Sequence, residues 1–249
     1  MSRPDVAALE AQRLDGAASV VLESAGDVLP SWLLPVVAMA RDVTVHDLTR
    51  FPPPEAGGRA SSVLVLFGVD EQGRPDVLLI ERAHDMRSHS GQPAFPGGAL
   101  DPEDSGVVAA ALREAVEETG LDADGVAPFA VLPDLYLPPS GFVVSPVLAW
   151  WREPSVVRAV DAREVASVLR VGWHDLADPE RRVRVRHPSG FVGPGFGVEA
   201  PDGDLMVWGF TAGLIDRILH LTGWAEPWDE GRVLPLDETV LGRDTRRST

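Results

Sequence analysis

The chain reads as an α/β protein, with a mixed β-sheet, helices on its faces and an N-terminal helical arm. Three features predict this class. Residues 63–69 are a continuous apolar run rich in β-branched side chains, the pattern of a buried strand. Residues 107–119 instead place Val108, Ala111, Leu112 and Ala115 at helical spacing. Further strand-like segments and a second apolar helix follow, without an internal repeat.

The arm comes first. Residues 6–14 have helix-like spacing, and residues 31–37 form an apolar turn or helix. Pro52, Pro53 and Pro54, with Gly57 and Gly58, make a linker, because proline and glycine interrupt regular structure. The strand over 63–69 turns at 70–74 and returns over 77–81. A loop then leads into the helix that ends near Thr119. Residues 129–132, 143–151 and 164–173 read as further strands. In 182–186, Arg182, Arg184 and Arg186 alternate with Val183 and Val185, which predicts a strand with one cationic face. Residues 208–221 are helical, with Phe210, Leu214, Ile215, Ile218 and Leu219 on the apolar side, and Gly223 ends the helix. The expected organisation is an arm and linker over 1–58, a main domain over 59–225 and a tail over 226–249.

Composition removes several chemistries. A chain of 249 residues can bury a full core without staples. It has no cysteine, which excludes disulfides, thiolate nucleophiles and cysteine zinc sites. It has no lysine either, so Schiff-base chemistry and a P-loop lysine are excluded, and the lack of asparagine rules out N-glycosylation. A formal net charge of −16 argues against nucleic-acid and anionic-membrane partners, which need a basic surface. The opening residues carry acids early, and the longest apolar stretch, 32–40, is broken by Pro35. A cytoplasmic protein without a membrane span is expected.

The helix over 107–119 carries the chemistry. Glu114, Glu117 and Glu118 stand at i, i+3 and i+4, so their carboxylates project from one side of it. Like charges so placed destabilise a bare helix by about 0.2–0.5 kcal/mol per pair. A hard divalent cation reverses that sign, because carboxylate oxygens are its preferred ligands. The plain alternative is an acidic face turned to water. The flanking residues decide between the two.

Residues 97–121 resemble the Nudix box, whose pattern is Gly, five residues, Glu, seven residues, Arg-Glu, an aliphatic, any residue, Glu-Glu, any residue, Gly, an aliphatic. The second half fits from Arg113 through Gly120 to Leu121. The first half is one residue longer and lands on no glutamate at its acidic position, so Glu103 and Asp104 both stand as candidates for that role. Residues 78–98 resemble the signature of the coenzyme A branch of the family, through Leu78, Leu79, Arg82, Arg87, Gly91, Phe95, Pro96, Gly97 and Gly98. Residues 137–142, followed by Val144, Pro146 and Val147, resemble the same branch, whose members often carry the longer loop.

The resemblance implies a Nudix-type α/β/α sandwich and a Mg²⁺- or Mn²⁺-dependent pyrophosphohydrolase. Its substrate would be coenzyme A or an acyl derivative, cut to 4′-phosphopantetheine (or its acyl form) and adenosine 3′,5′-bisphosphate. ADP-ribose or another nucleoside diphosphate derivative is the alternative substrate, and a nucleotide-binding module without catalysis is the alternative class. Glu114 and Glu118, one turn apart, are the main metal ligands expected, with Glu117 as a shared ligand or water orienter. Arg113 either orients these carboxylates or makes a surface pair. Gly97 and Gly98 permit a tight backbone approach to phosphate or metal-bound water. Arg82 and Arg87 clamp phosphate or form salt bridges, and Phe95 either stacks on adenine or packs in the core. His89 is a lesser candidate. The general base comes from the helix or from a later loop, where Glu164 is one candidate. Arg184 and Arg186 either meet the 3′-phosphate or decorate a solvated hairpin edge. Trp208, Trp224 and Trp228 are expected to pack. A small-molecule partner and a homodimer are the associations compatible with this reading.

Overall fold

In the computed structural model, the described residues are 19–22, 29–54, 57–83, 91–138, 140–201 and 203–236. The helix expected over 6–14, and Arg87 and His89, lie outside them. Strand β1 (Val20–Val21) is followed by a 3₁₀ turn at Ser31–Leu33 that runs into helix α1 (Leu34–Asp42), with Pro35 in its first turn where a missing N–H costs nothing. Helix α2 (Val45–Leu48) opens with the Thr44 N–H donating to the Asp47 carboxylate at 2.8 Å. Strands β2 (Arg59–Val69) and β3 (Pro75–Arg82) follow, then β4 (Pro93–Ala94), β5 (Gly97–Ala99) and helix α3 (Val107–Thr119). After α3 come β6 (Val126–Val131), β7 (Leu135–Leu137), β8 (Phe142–Trp151), β9 (Val165–Gly172) and helix α4 (Trp173–Ala177). The chain closes with β10 (Arg182–Arg186), β11 (Val192–Val198), β12 (Leu205–Val207), helix α5 (Gly209–Thr222) and β13 (Val233–Pro235).

The main sheet has the order β1-β6-β8-β2-β3-β4, with β5 beside β2, β7 beside β8 and β9 beside β3. It is mixed, because β2 and β8 run parallel while the other pairs are antiparallel. Its central geometry is a splay. The hairpin β2–β3 is paired only at Phe67–Val69 against Pro75–Val77. Beyond that, β2 pairs with β5 and β3 pairs with β4 and β9. The loop between β4 and β5 enters the gap, where the Leu64 N–H donates to the Pro96 carbonyl at 2.8 Å.

Helix α3 packs on β2, β5 and β8, and α1 packs on β1, β6 and α5. The arm is therefore not a separate unit, since Leu33, Val36 and Leu48 belong to the same buried core as Phe67, Phe129, Ala115 and Ile215. Trp224 joins this core through ring contacts with Trp32 and Trp173, at 6.1 and 5.5 Å between centroids.

A single sheet was the sequence expectation, but β10 to β13 form a second one, in the order β12-β11-β10-β13. Its last strand lies in the region expected to be a tail, and pairs parallel with Arg184–Arg186. The expected strand over 164–173 also stops early, because Trp173 starts α4 and buries its ring against Phe67 at 5.2 Å. Arg182, Arg184 and Arg186 do not form a solvated cationic edge. Arg182 is buried, paired with Asp216 and set between the rings of Phe196 and Trp228. Arg184 bonds Glu230 at 3.0 Å, and Arg186 is exposed.

Candidate active site

Two adjacent glycines bring a strand and a helix into contact. A Cβ on Gly97 would lie 2.3 Å from the Ser62 carbonyl oxygen and 2.7 Å from Val63 Cα. A Cβ on Gly98 would lie 2.4–2.7 Å from the carboxyl atoms of Glu114. The bare backbone of β5 is what allows β2 on one side and α3 on the other to come this close. On α3, Ala110, Ala111 and Ala115 are fully buried, so the helix sits tightly on the sheet, with Glu114 and Glu118 against β5. Gly120, in the left-handed conformation at φ 66°, ends it.

Glu118 is buried, 8% exposed, and accepts a hydrogen bond from the Gly97 N–H at 3.0 Å. Burial pushes its carboxyl up to about 7, helped by the charges of Glu114 and Glu164 and opposed by the Gly97 N–H and Arg82. Glu114 is half-buried, and burial raises it too, against the pull of Arg113. The fold thus brings together Arg82, Gly97, Gly98, Glu114, Glu118 and Glu164, which lie far apart along the chain. Glu164 precedes β9 rather than beginning it, and is exposed.

Arg113 is a hub rather than a surface pair. Its Nε and Nη2 donate to the two carboxylate oxygens of Asp104, each at 3.0 Å, and Nη2 also reaches the Ala99 carbonyl at 3.1 Å. Its Nη1 donates to Glu114 and to Glu117, both at 3.0 Å. One guanidinium therefore ties the acidic loop and β5 to the glutamate face of α3. Of the two candidates for the first acid, Asp104 is the one paired with Arg113, with its side chain 6% exposed, while Glu103 is exposed. Glu117 is 59% exposed and held by Arg113 on the solvent side of the helix.

The hydrogen bonds from Arg113 hold the Asp104 carboxyl below its usual value. A lowered carboxyl stabilises the fold fully above its unfolded pKa and loses that contribution as pH falls through its folded pKa. The stability advantage of wild type over Asp104→Asn is therefore expected in full near neutral pH and to shrink in acid. Thermal unfolding of both proteins across that pH range tests it, and a gap that stays constant into strong acid contradicts the role given to the pair.

Phe95 does not line the site. It is 3% exposed and packs in the main core, so stacking on a base is corrected to a packing role. Sequence reasoning also missed Ser61, Ser62 and Ser145, polar groups buried at the β2–β8 pairing beside β5. Ser145 sits within the stretch read as a strand over 143–151, Ser61 and Ser62 just before the run over 63–69, and no spacing marks them out.

Among the described residues, no three acidic or histidine side chains are gathered closely enough to hold an ion as they stand. The donors nevertheless fit a hard cation. They are all carboxylates, and Glu118 is a buried acid whose charge a cation would compensate. No helix of the described residues is long and apolar enough to cross a membrane.

Relatives called "Uncharacterized Nudix hydrolase NudL" from Salmonella paratyphi B and Salmonella newport are 39% identical over 125 residues, covering 47% of this chain and 65% of theirs. Similar solved structures include a Nudix hydrolase from M. smegmatis, RenU, at 20% identity and TM-score 0.45 over 70% of this chain and 92% of that one. Another is the NUDIX domain of Shewanella oneidensis NrtR complexed with ADP ribose, at 19% identity and TM-score 0.39 over 49% of this chain and 77% of that one. The NUDIX domain model matches residues 58–192, more than half of the chain and the whole stretch from Arg82 to Glu164, so the chain belongs to the Nudix family.

Proposed function

We propose that this chain is a metal-dependent pyrophosphohydrolase that cleaves the diphosphate of coenzyme A or an acyl-coenzyme A. The products are 4′-phosphopantetheine, or its acyl form, and adenosine 3′,5′-bisphosphate. The observation that carries the reading is the contact of Glu114 and buried Glu118 with the Gly97–Gly98 backbone, close to Arg82. The match of residues 78–98 to the coenzyme A signature supports the substrate class.

In this reading Glu114 and Glu118 hold Mg²⁺ or Mn²⁺, and Glu117 orients water at its edge. The ion supplies charge neutralisation on the phosphoryl oxygens and a lowered pKa for bound water. Arg82 and Arg87 offset the negative field of a chain with net charge −16, which would otherwise repel an anionic substrate. Gly97 and Gly98 leave backbone room beside the diphosphate. Glu164 is the base. The enzyme acts in the cytoplasm on a small molecule, alone or as a homodimer.

A substrate panel tests this. With Mg²⁺ or Mn²⁺, coenzyme A is expected to yield the two named products, and a chelator is expected to stop the reaction. If coenzyme A is left intact while ADP-ribose is cleaved, the substrate assignment is wrong. If neither these nor dinucleotides and nucleoside triphosphates are cleaved under any metal, the reading as a binding module without catalysis takes over.

A further inference from the structure

The segment between β8 and β9 has no regular secondary structure, yet its backbone is anchored at both ends. The Arg158 N–H donates to the Thr119 carbonyl at 2.9 Å, and the Val160 N–H donates to the Glu118 carbonyl at 3.2 Å. These are among the last carbonyls of α3, which the helix leaves without donors of its own. At the other end, the Ala83 N–H, just past β3, donates to the Glu164 carbonyl at 2.9 Å. The next residue, Val165, is in register with Arg82. Residues 158–165 thus bridge the end of the glutamate helix and the end of the strand that carries Arg82.

A closed turn lies between the anchors. The Asp161 Oδ1 accepts from the Arg163 N–H at 2.9 Å and from its Nε at 3.0 Å, and Oδ2 pairs with Nη2. The Asp161 carbonyl accepts from the Glu164 N–H at 3.0 Å and the Val165 N–H at 2.9 Å. This is an Asx turn closed by a two-pronged guanidinium contact. It orders the residue that follows. The Arg163 side chain, as the main cause, holds the Asp161 carboxyl at about 2, so the clasp stays charged near neutral pH. Residues 158–164 are exposed or half-buried and only Val165, at the end of the segment, is buried, so burial does not explain the order of the turn itself.

We infer that Asp161 is a positioning residue, whose turn fixes the Glu164 carboxylate beside Glu118 and Arg82, where it takes the proton of the attacking water. The inference rests on the pyrophosphohydrolase reading. In the step it serves, the water oxygen forms a bond to one phosphorus and its proton passes to Glu164. The bond from that phosphorus to the bridging oxygen breaks, and the electron pair leaves with the second phosphate. A base displaced by about 1 Å loses on the order of 10²-fold in rate, so the turn has a measurable purpose.

The test is a double-mutant cycle on the full chain with Mg²⁺ and coenzyme A, repeated with ADP-ribose. Glu164→Gln is expected to lower kcat about 10²–10⁴-fold, the range for general acid–base groups. Asp161→Ala is expected to lower kcat about tenfold to 10²-fold with KM within about twofold. In the Glu164→Gln background the same change is expected to cost less than about twofold, because the group it positions is gone. Asp161→Asn keeps an acceptor for the Arg163 N–H and is expected to recover much of the loss. It also serves if Asp161→Ala does not fold. In an active enzyme, equal losses in both backgrounds, an unaffected kcat, or no rescue by Asp161→Asn overturn the inference alone. If wild type cleaves neither compound, the functional reading fails and the inference fails with it.

Discussion

Glu118→Gln is expected to remove turnover by about 10²–10⁴-fold, as for an essential charge-stabilising group, while leaving the fold at least as stable as wild type. The two halves of this expectation come from the same geometry. The glutamine keeps an oxygen for the Gly97 N–H, so no buried donor is orphaned. It removes a buried charge whose carboxyl sits at about 7. An acid with a raised folded pKa costs stability as pH rises from its unfolded value through its folded one. In metal-free buffer above that range, the variant is therefore expected to unfold no earlier than wild type. Thermal unfolding and steady-state kinetics on one preparation decide it. Near-normal turnover would remove Glu118 from the chemistry. Lost turnover with a collapsed Tm would reduce it to a structural acid.

The two glycines of β5 are expected to separate function from stability. At Gly98 the three atoms nearest an added methyl are all in the carboxyl end of Glu114, a flexible group that can swing aside. Gly98→Ala is therefore expected to cost little stability and on the order of 10²-fold in activity, because the carboxylate is displaced by about the distance that matters in a preorganised site. At Gly97 the methyl meets the Ser62 carbonyl and Val63 Cα, which are fixed by the β2–β8 pairing. Gly97→Ala is expected to cost about 1–3 kcal/mol of stability, as overpacking does. Denaturant titration and kinetics on both variants test the pair. Equal stability losses at the two positions would contradict the contact geometry.

Much of the site was legible because it depends on local periodicity. Three glutamates at i, i+3 and i+4 must share a helix side, whatever the rest of the chain does. Double glycine before an acidic loop marks a backbone without room for side chains, and Gly97 lies against Ser62 and Val63 and Gly98 against Glu114. Legibility failed where long-range contacts decide. Glu117 shares the helix side but is drawn to solvent by Arg113. The split of β2 from β3, which opens the gap for residues 95–99, leaves no periodic trace. Arg182 looks like a surface charge until Asp216 and Trp228, supplied from α5 and the segment beyond it, enclose it. Phe95 was open to either role because an aromatic ring beside a glycine turn suits a core as well as a platform. The second sheet depends on Val233–Pro235 pairing with a strand some fifty residues earlier in the chain.

The central claim is that Glu114 and Glu118 grip a divalent cation beside Gly97 and Gly98. Anomalous scattering from a crystal soaked with Mn²⁺ and a coenzyme A fragment tests it most directly. The expected result is a manganese peak bonded to both carboxylates, with the diphosphate next to the glycine backbone. A well-ordered, metal-saturated crystal with no peak there, or with both side chains turned to bulk water, would contradict the account.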